Sequence, residues 1–192
     1  ISECLVGSEM CIRDRKYSKG KSIRKRDKSV YSREEAGHWE ADTVVSGQGK
    51  SKACFATLAE RKTRFYIAMK MSDRRAETME NAIVAALSAF PPQLVKTITC
   101  DRGTEFANWR RIEERLHCEV YFADPYCAWQ KGTNENLNGL LREFYPKGRN
   151  LSRVAPATLK RNLALLNARP RKVLYFHSAQ ELWDFELNSC CT

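Results

Sequence analysis

From Gly37 onward, the apolar and polar residues of this chain fall into runs of two different periods. His38 to Ser46 (HWEADTVVS) alternates, with Trp39, Ala41, Thr43 and Val45 on one face and His38, Glu40, Asp42 and Val44 on the other. A period of two, rich in Trp, Thr and Val, predicts a strand. Gly47 to Lys52 reads as a polar turn. Two further strands follow over Ala53 to Ala59 and Arg64 to Met71, separated by the charged turn Glu60-Arg61-Lys62. Three strands joined by short turns predict an antiparallel meander. The period then changes: Met79, Ile83, Leu87 and Phe90 fall at helical spacing, and Pro91-Pro92 stops that helix. A strand over Val95 to Cys100 runs into Asp101 and breaks at Arg102-Gly103. A helix near Asn108 to Leu116 and a strand over Cys118 to Ala123 come next, and Asp124-Pro125 opens a loop. Gly132-Thr133 opens a helix with Leu137, Leu140, Leu141 and Phe144 on its apolar face. Another helix starts at Pro156 and ends before Arg169-Pro170, and Ser178 with Glu181 forms a capping box for a last one. The order predicts an α/β fold: a mixed five-stranded sheet, three antiparallel strands then two parallel ones, with helices on both faces.

Size and charge narrow the picture. The 192 residues favour one globular domain with tails, and the formal net charge of +10 predicts a polyanionic partner, most simply nucleic acid. Lys16 to Arg33 holds eight basic residues and one acid without apolar periodicity, the pattern of a solvated linker that also touches DNA phosphates. The expected organisation is a basic, disordered segment over 1–36, a core over 37–186 and a tail over 187–192. Leu5 to Arg15 (LVGSEMCIRDR) resembles a translated sequencing-library adapter and is set aside from the fold, so the native start is expected to differ. The eight cysteines contain no Cys-x-x-Cys, which fits reduced thiols in a cytoplasmic protein better than a zinc site. No apolar run approaches the roughly 18 to 20 residues of a membrane span.

Three acids carry the candidate chemistry. Asp42 lies inside a strand, where Asp is depleted. Asp101 follows another strand, and Glu135 opens a helix with 33 residues between it and Asp101. Each has an ordinary explanation alone: a carboxylate paired with a lysine, a turn starter, and an acid favoured by the helix dipole. Together, on neighbouring strands and a helix across their edge, they form an oxygen ligand set suited to Mg²⁺ or Mn²⁺, and two such ions handle phosphodiesters.

The segments GHWEADTV at Gly37, DRGTEF at Asp101 and DPYCAWQKGTNENLNGLLREFYPKG at Asp124, with NARPRK at Asn167, resemble the transposases of the insertion-sequence-30 family. The resemblance runs from about Gly37 to Glu186, and its third segment is the most specific. It implies a ribonuclease-H-like integrase core whose catalytic and metal-binding triad is Asp42, Asp101 and Glu135, cleaving DNA at element ends and transferring the 3′-hydroxyl. It also implies two metal ions per site, double-stranded DNA as partner and a homo-oligomer on that DNA. The chain departs from the family pattern at Ala41, Arg102 and Ala128, where Gly, Asn and Pro are usual. Arg102 puts a positive charge beside a proposed ligand.

Lys131, Arg142, Lys147, Arg149, Arg169, Arg171 and Lys172 are candidate DNA contacts, Lys131 foremost as a phosphate ligand. Asn134 and Asn136 flank Glu135 and are candidates to orient it, although helix capping is the simpler role. Trp129 reads as a core aromatic, with base stacking as the alternative, and His38 as a structural histidine. Two rival functions remain: an inactive fragment that only binds DNA or a partner, and a ribonuclease acting on RNA–DNA hybrids.

Overall fold

A computed structural model of the chain describes residues 20–125 and 127–190. Its strands are β1 (Lys21–Ser22), β2 (His38–Val45), β3 (Cys54–Glu60), β4 (Tyr66–Met71), β5 (Thr97–Cys100) and β6 (Glu119–Phe122). The helices are α1 (Ala76–Leu87), α2 (Trp109–Leu116), α3 (Gly132–Phe144), α4 (Pro156–Ala168) and α5 (Ala179–Ser189). The meander is present: β2 pairs antiparallel with β3, and β3 with β4. β5 lies parallel to β2 and β6 parallel to β5, giving the order β1-β6-β5-β2-β3-β4.

The alternation of β2 feeds two cores. Trp39 and Ala41 join Met79, Ile83 and Leu87 of α1, Ile112 of α2, Ile98 of β5 and Trp183 of α5 on one face. Trp39 also donates its indole N–H to the Leu94 carbonyl (2.8 Å). Val44 faces the other way, with Phe55 and Tyr66 against Leu137, Leu141 and Tyr145 of the α3 region and Leu159 and Leu166 of α4. The capping box is formed: the Glu181 N–H donates to Ser178 Oγ (3.1 Å), and the Ser178 N–H to Glu181 Oε2 (2.8 Å).

Residues 20–36 depart from the expected disordered arm. Lys21–Ser22 adds a sixth strand parallel to β6, two short 3₁₀ turns follow, and Ile23, Arg26, Val30 and Ala36 are buried. The basic residues find acids and hydroxyls on the sheet: Lys21 pairs with Glu119 (2.9 Å), Arg24 with Asp124 (3.0 Å), and Arg26 donates to Thr99 Oγ1 (2.8 Å). The adapter-like segment Leu5 to Arg15 lies outside the described residues. At the other end α5 runs to Ser189, into the span expected to be a tail.

The turn after β3 also differs from expectation. Glu60 ends β3 and is buried with Arg61, because Arg61 reaches under β2 to pair with Glu40 (2.7 Å) and Glu60 accepts the Thr63 N–H (2.7 Å). Among the described residues the cysteines are free, and burial pushes the Cys54 thiol up to about 11 and Cys118 up to about 12. No described helix is long and apolar enough to cross a membrane.

Candidate active site

The register of β2 against β5 sets the site. Glu40 lies opposite Thr99 in this parallel pair, so two residues further along Asp42 comes level with Asp101, just past the end of β5. Lys131 reaches between them. Its Nζ stands 3.4 Å from Asp42 Oδ1 and 3.0 Å from Asp101 Oδ2, and donates to the Ala41 carbonyl at 3.3 Å. Asp42 Oδ1 also accepts the Thr43 N–H (2.8 Å) and Oδ2 accepts the Asn138 amide (2.9 Å). Asn138 in turn accepts the Tyr66 hydroxyl (2.6 Å). Asp101 Oδ1 accepts the Gly103 N–H at 2.9 Å.

Burial raises the Asp42 carboxyl above its ordinary value, and the neighbouring Lys131 offsets this only in part. Burial is also the largest influence on Lys131 and pulls it down, but Asp42 and Asp101 together outweigh it and leave its ammonium raised. Lys131 therefore carries its full charge between the two acids.

Glu40 and Asn134 fix the helix that carries the third acid. Asn134 is fully buried: its backbone N–H donates to Glu40 Oε2 (2.9 Å), and its side-chain amide donates to the Glu40 carbonyl (2.8 Å). Thr57 donates its hydroxyl to Asn134 Oδ1 (3.2 Å), and Arg64 donates to Thr133 Oγ1 (2.7 Å). The first turn of α3 is thereby pinned across β2 and β3. Glu135 follows Asn134 but points to solvent, with no hydrogen-bond or ion-pair partner among the described residues. It lies three residues before Asn138, on the same helical stripe as the side chain that touches Asp42. The structure thus joins Asp42 and Asp101 through Lys131 and does not bring Glu135 into contact with either. Among the described residues no group of three or more His, Cys, Asp or Glu is close enough to hold a metal ion.

One feature fits a divalent cation here. A lysine ammonium already stands between hard carboxylate oxygens, where positive charge is stabilised. Gly103 packs closely beside them: a Cβ there would collide with the Glu105 carboxylate and come within 2.9 Å of Asp101 Oδ1. Glu105 and Asn138 escaped the sequence reading. Glu105 is buried, accepts the Thr43 hydroxyl (3.2 Å) and pairs with Arg74. Its place in DRGTEF, four residues after Asp101, was the available signal; for Asn138 it was the helical spacing from Glu135.

The remaining candidates divide. Lys147, Arg149, Arg169 and Lys172 are exposed, with Arg149 over the Tyr145 ring and Arg169 3.5 Å from Glu143. Arg142 is half-buried and donates to the Val45 carbonyl (3.0 Å). Arg171 is committed inward, donating to the carbonyls of Leu166 (2.9 Å) and Arg64 (3.2 Å), so it braces α4 rather than facing a ligand. Lys131 likewise faces carboxylates, where a phosphate contact was expected. Asn134 serves Glu40 and Thr57, not Glu135, and Asn136 is exposed. Trp129 corrects the expectation of a core aromatic: it is 72% exposed. His38 is buried between Thr97 and Glu35, in a structural role.

An antiparallel meander continued by parallel strands, helices on both faces, and carboxylates within β2 and just past β5 define a ribonuclease-H-like core. The chain belongs to the integrase core domain family, whose model matches residues 32–128. It is 36% identical over 163 residues to the transposase InsI for insertion sequence element IS30C of Escherichia coli, covering 85% of this chain and 42% of that protein. It is 38% identical over 157 residues to the transposase for insertion sequence element IS1086 of Cupriavidus metallidurans, covering 82% of this chain and 46% of that protein. The chain thus spans less than half the length of these curated relatives. Among solved structures, the fold is similar to the catalytic core domain of BIV integrase (TM-score 0.61, 15% identity, 82% of this chain and 99% of that one). It is similar also to the HTLV-2 integrase catalytic core domain in complex with magnesium (TM-score 0.58, 14% identity, 77% and 95%).

Proposed function

We propose that this chain is the catalytic core of a DNA transposase that cleaves element ends with divalent metal ions and joins the 3′-hydroxyl to target DNA. The observation that carries the reading is the level pair Asp42 and Asp101 sharing the Lys131 ammonium on the two central strands of a ribonuclease-H-like sheet. The transposase relatives support the reaction class, and the magnesium in the HTLV-2 integrase complex supports the metal. In this reading Asp42, Asp101 and Glu135 hold Mg²⁺ or Mn²⁺, two ions per site. Bound ions activate the attacking oxygen and stabilise the leaving one. The chain's own groups do the positioning: Asn138 and the Thr43 N–H orient Asp42, the Gly103 N–H orients Asp101, and Asn134 fixes the helix that presents Glu135. The exposed Lys147, Arg149, Arg169 and Lys172 meet double-stranded DNA, and a homo-oligomer holds two ends.

The test is Mg²⁺-dependent cleavage of element-end DNA by Glu135→Gln. A fall of at least ~10³-fold, about 4 kcal/mol on the barrier, is expected with DNA affinity nearly unchanged. Full activity in that variant rejects the assignment. An RNA–DNA hybrid supplied as substrate separates transposition from ribonuclease chemistry.

A further inference from the structure

Lys131 stands out because nothing about its sequence position demands burial. It ends the short turn Ala128–Lys131, two residues after an indole that is 72% exposed, yet it is itself only 8% exposed. Lysine is rarely buried unless paired. Here its ammonium donates to Asp101 Oδ2 and to the Ala41 carbonyl, and forms an ion pair with Asp42 Oδ1 at 3.4 Å. Without that ammonium, two carboxylates level with each other on adjacent strands face one another with the backbone N–H groups, the Asn138 amide and the charge of Arg74 near Asp101 left to offset them.

We infer that Lys131 is a resident counter-ion, which neutralises the Asp42–Asp101 pair while the site holds no metal and moves to a DNA phosphate once the carboxylates take divalent ions. This rests on the proposed function, because it requires the pair to be a metal site. The reasoning is electrostatic. An ammonium and a divalent cation cannot share the same two carboxylate oxygens, since their repulsion grows steeply within a few ångströms. The lysine must therefore withdraw as the ligands are taken. Its flexible four-carbon stem allows that without moving the backbone. The strongest new anion beside it is then a phosphate of the bound DNA. Both readings of Lys131, phosphate ligand and carboxylate partner, thus describe one side chain under two conditions.

Two measurements on the full chain decide this, neither of them activity. The first is Mn²⁺ binding followed by electron paramagnetic resonance, comparing the natural chain with Lys131→Met and with Lys131→Arg, which keeps the charge. Lys131→Met is expected to bind Mn²⁺ about tenfold more tightly, roughly the effect of 1.4 kcal/mol, and Lys131→Arg to match the natural chain. The second is the salt dependence of DNA affinity. In chelator the slopes of the natural chain and Lys131→Met should coincide. With Mg²⁺ the natural chain should be steeper by about 0.9, the signature of one additional phosphate contact. Equal Mn²⁺ affinity in Lys131→Met and the natural chain, both above an Asp42→Asn background, overturns the counter-ion role and leaves the metal site standing. A slope difference already present in chelator also overturns it, since Lys131 would then be a plain phosphate ligand. Binding no better than Asp42→Asn in every chain rejects the metal site itself, and the inference with it. If Lys131→Met fails to fold, a tenfold weaker Mn²⁺ affinity in Lys131→Arg than in Lys131→Gln supports the role, and equal affinities in those two overturn it.

Discussion

Asp42 and Asp101 are carried by strands, whereas Glu135 is carried by a helix, and the two settings differ in what fixes them. The strand pair is placed by backbone register and held by a shared ammonium, with further hydrogen bonds from Thr43, Asn138 and Gly103. The helical acid is placed only indirectly, through Asn134 one residue earlier, and its carboxylate is free in solvent. A sheet delivers geometry through many parallel hydrogen bonds, while a helix N-terminus delivers it through one or two anchors. Two acids are thus fixed in the fold, while Glu135 is exposed.

The contrast can be broken most forcefully beneath both elements. Arg61→Ala strands the fully buried Glu40, which receives the Asn134 N–H, and is expected to cost about 3–5 kcal/mol in urea unfolding. A loss under about 1 kcal/mol would mean that the ion pair is not what holds α3 to the sheet. Next, Asn134→Ala removes one side-chain anchor and should cost about 1–3 kcal/mol, with cleavage falling further than stability explains because Glu135 loses its placement. Equal cleavage in that variant would detach Glu135 from Asn134.

Asp42→Asn and Glu135→Gln sharpen the contrast more gently. The raised Asp42 carboxyl contributes stability that is present below its unfolded value and lost as pH rises through the folded one. Neutralising it should therefore raise the melting temperature by a few degrees at pH 7 and leave it unchanged below about pH 4. Glu135→Gln should alter stability by under about 0.5 kcal/mol at either pH. Identical pH profiles for the two variants would erase the distinction between them.

The smallest effect concerns His38. Burial lowers its value, and Glu35 only partly opposes this. Its contribution is complete above about pH 6.5 and is lost as pH falls through the depressed folded value. Replacing it by Gln should flatten the melting-temperature profile between pH 5 and 7, and an unaltered slope would show that the histidine does not titrate with unfolding.

Much of this was legible in the chain. The period of two in His38 to Val45, the helical spacing of Met79, Ile83 and Leu87, and the Ser178–Glu181 box each matched a local rule, and local rules govern these elements. What escaped was decided by distant partners. Lys21–Ser22 shows no alternation, and its strand exists only because β6 offers an edge. Arg61 reads as part of a charged turn, and its burial follows only from Glu40 beneath it. Trp129 reads as core, yet its turn is spent positioning Lys131, which leaves the indole outside. For the site, the acids were visible by type and spacing, but the ammonium between two of them was not, because no sequence rule reports which anion a lysine will choose.

The short β1 strand has a practical consequence. Without the stretch from Lys21 to Arg33, the outer rim of β6 would present bare amide and carbonyl groups, and Ile23 and Val30 would no longer cover what they now shield. An uncovered rim of this kind is a template for another chain's strand. The boundary suggested by composition, near Gly37, would therefore cut through the fold's own seal. A version trimmed there should be judged first by whether it stays apart from its copies, before any loss of DNA chemistry is ascribed to the missing arm.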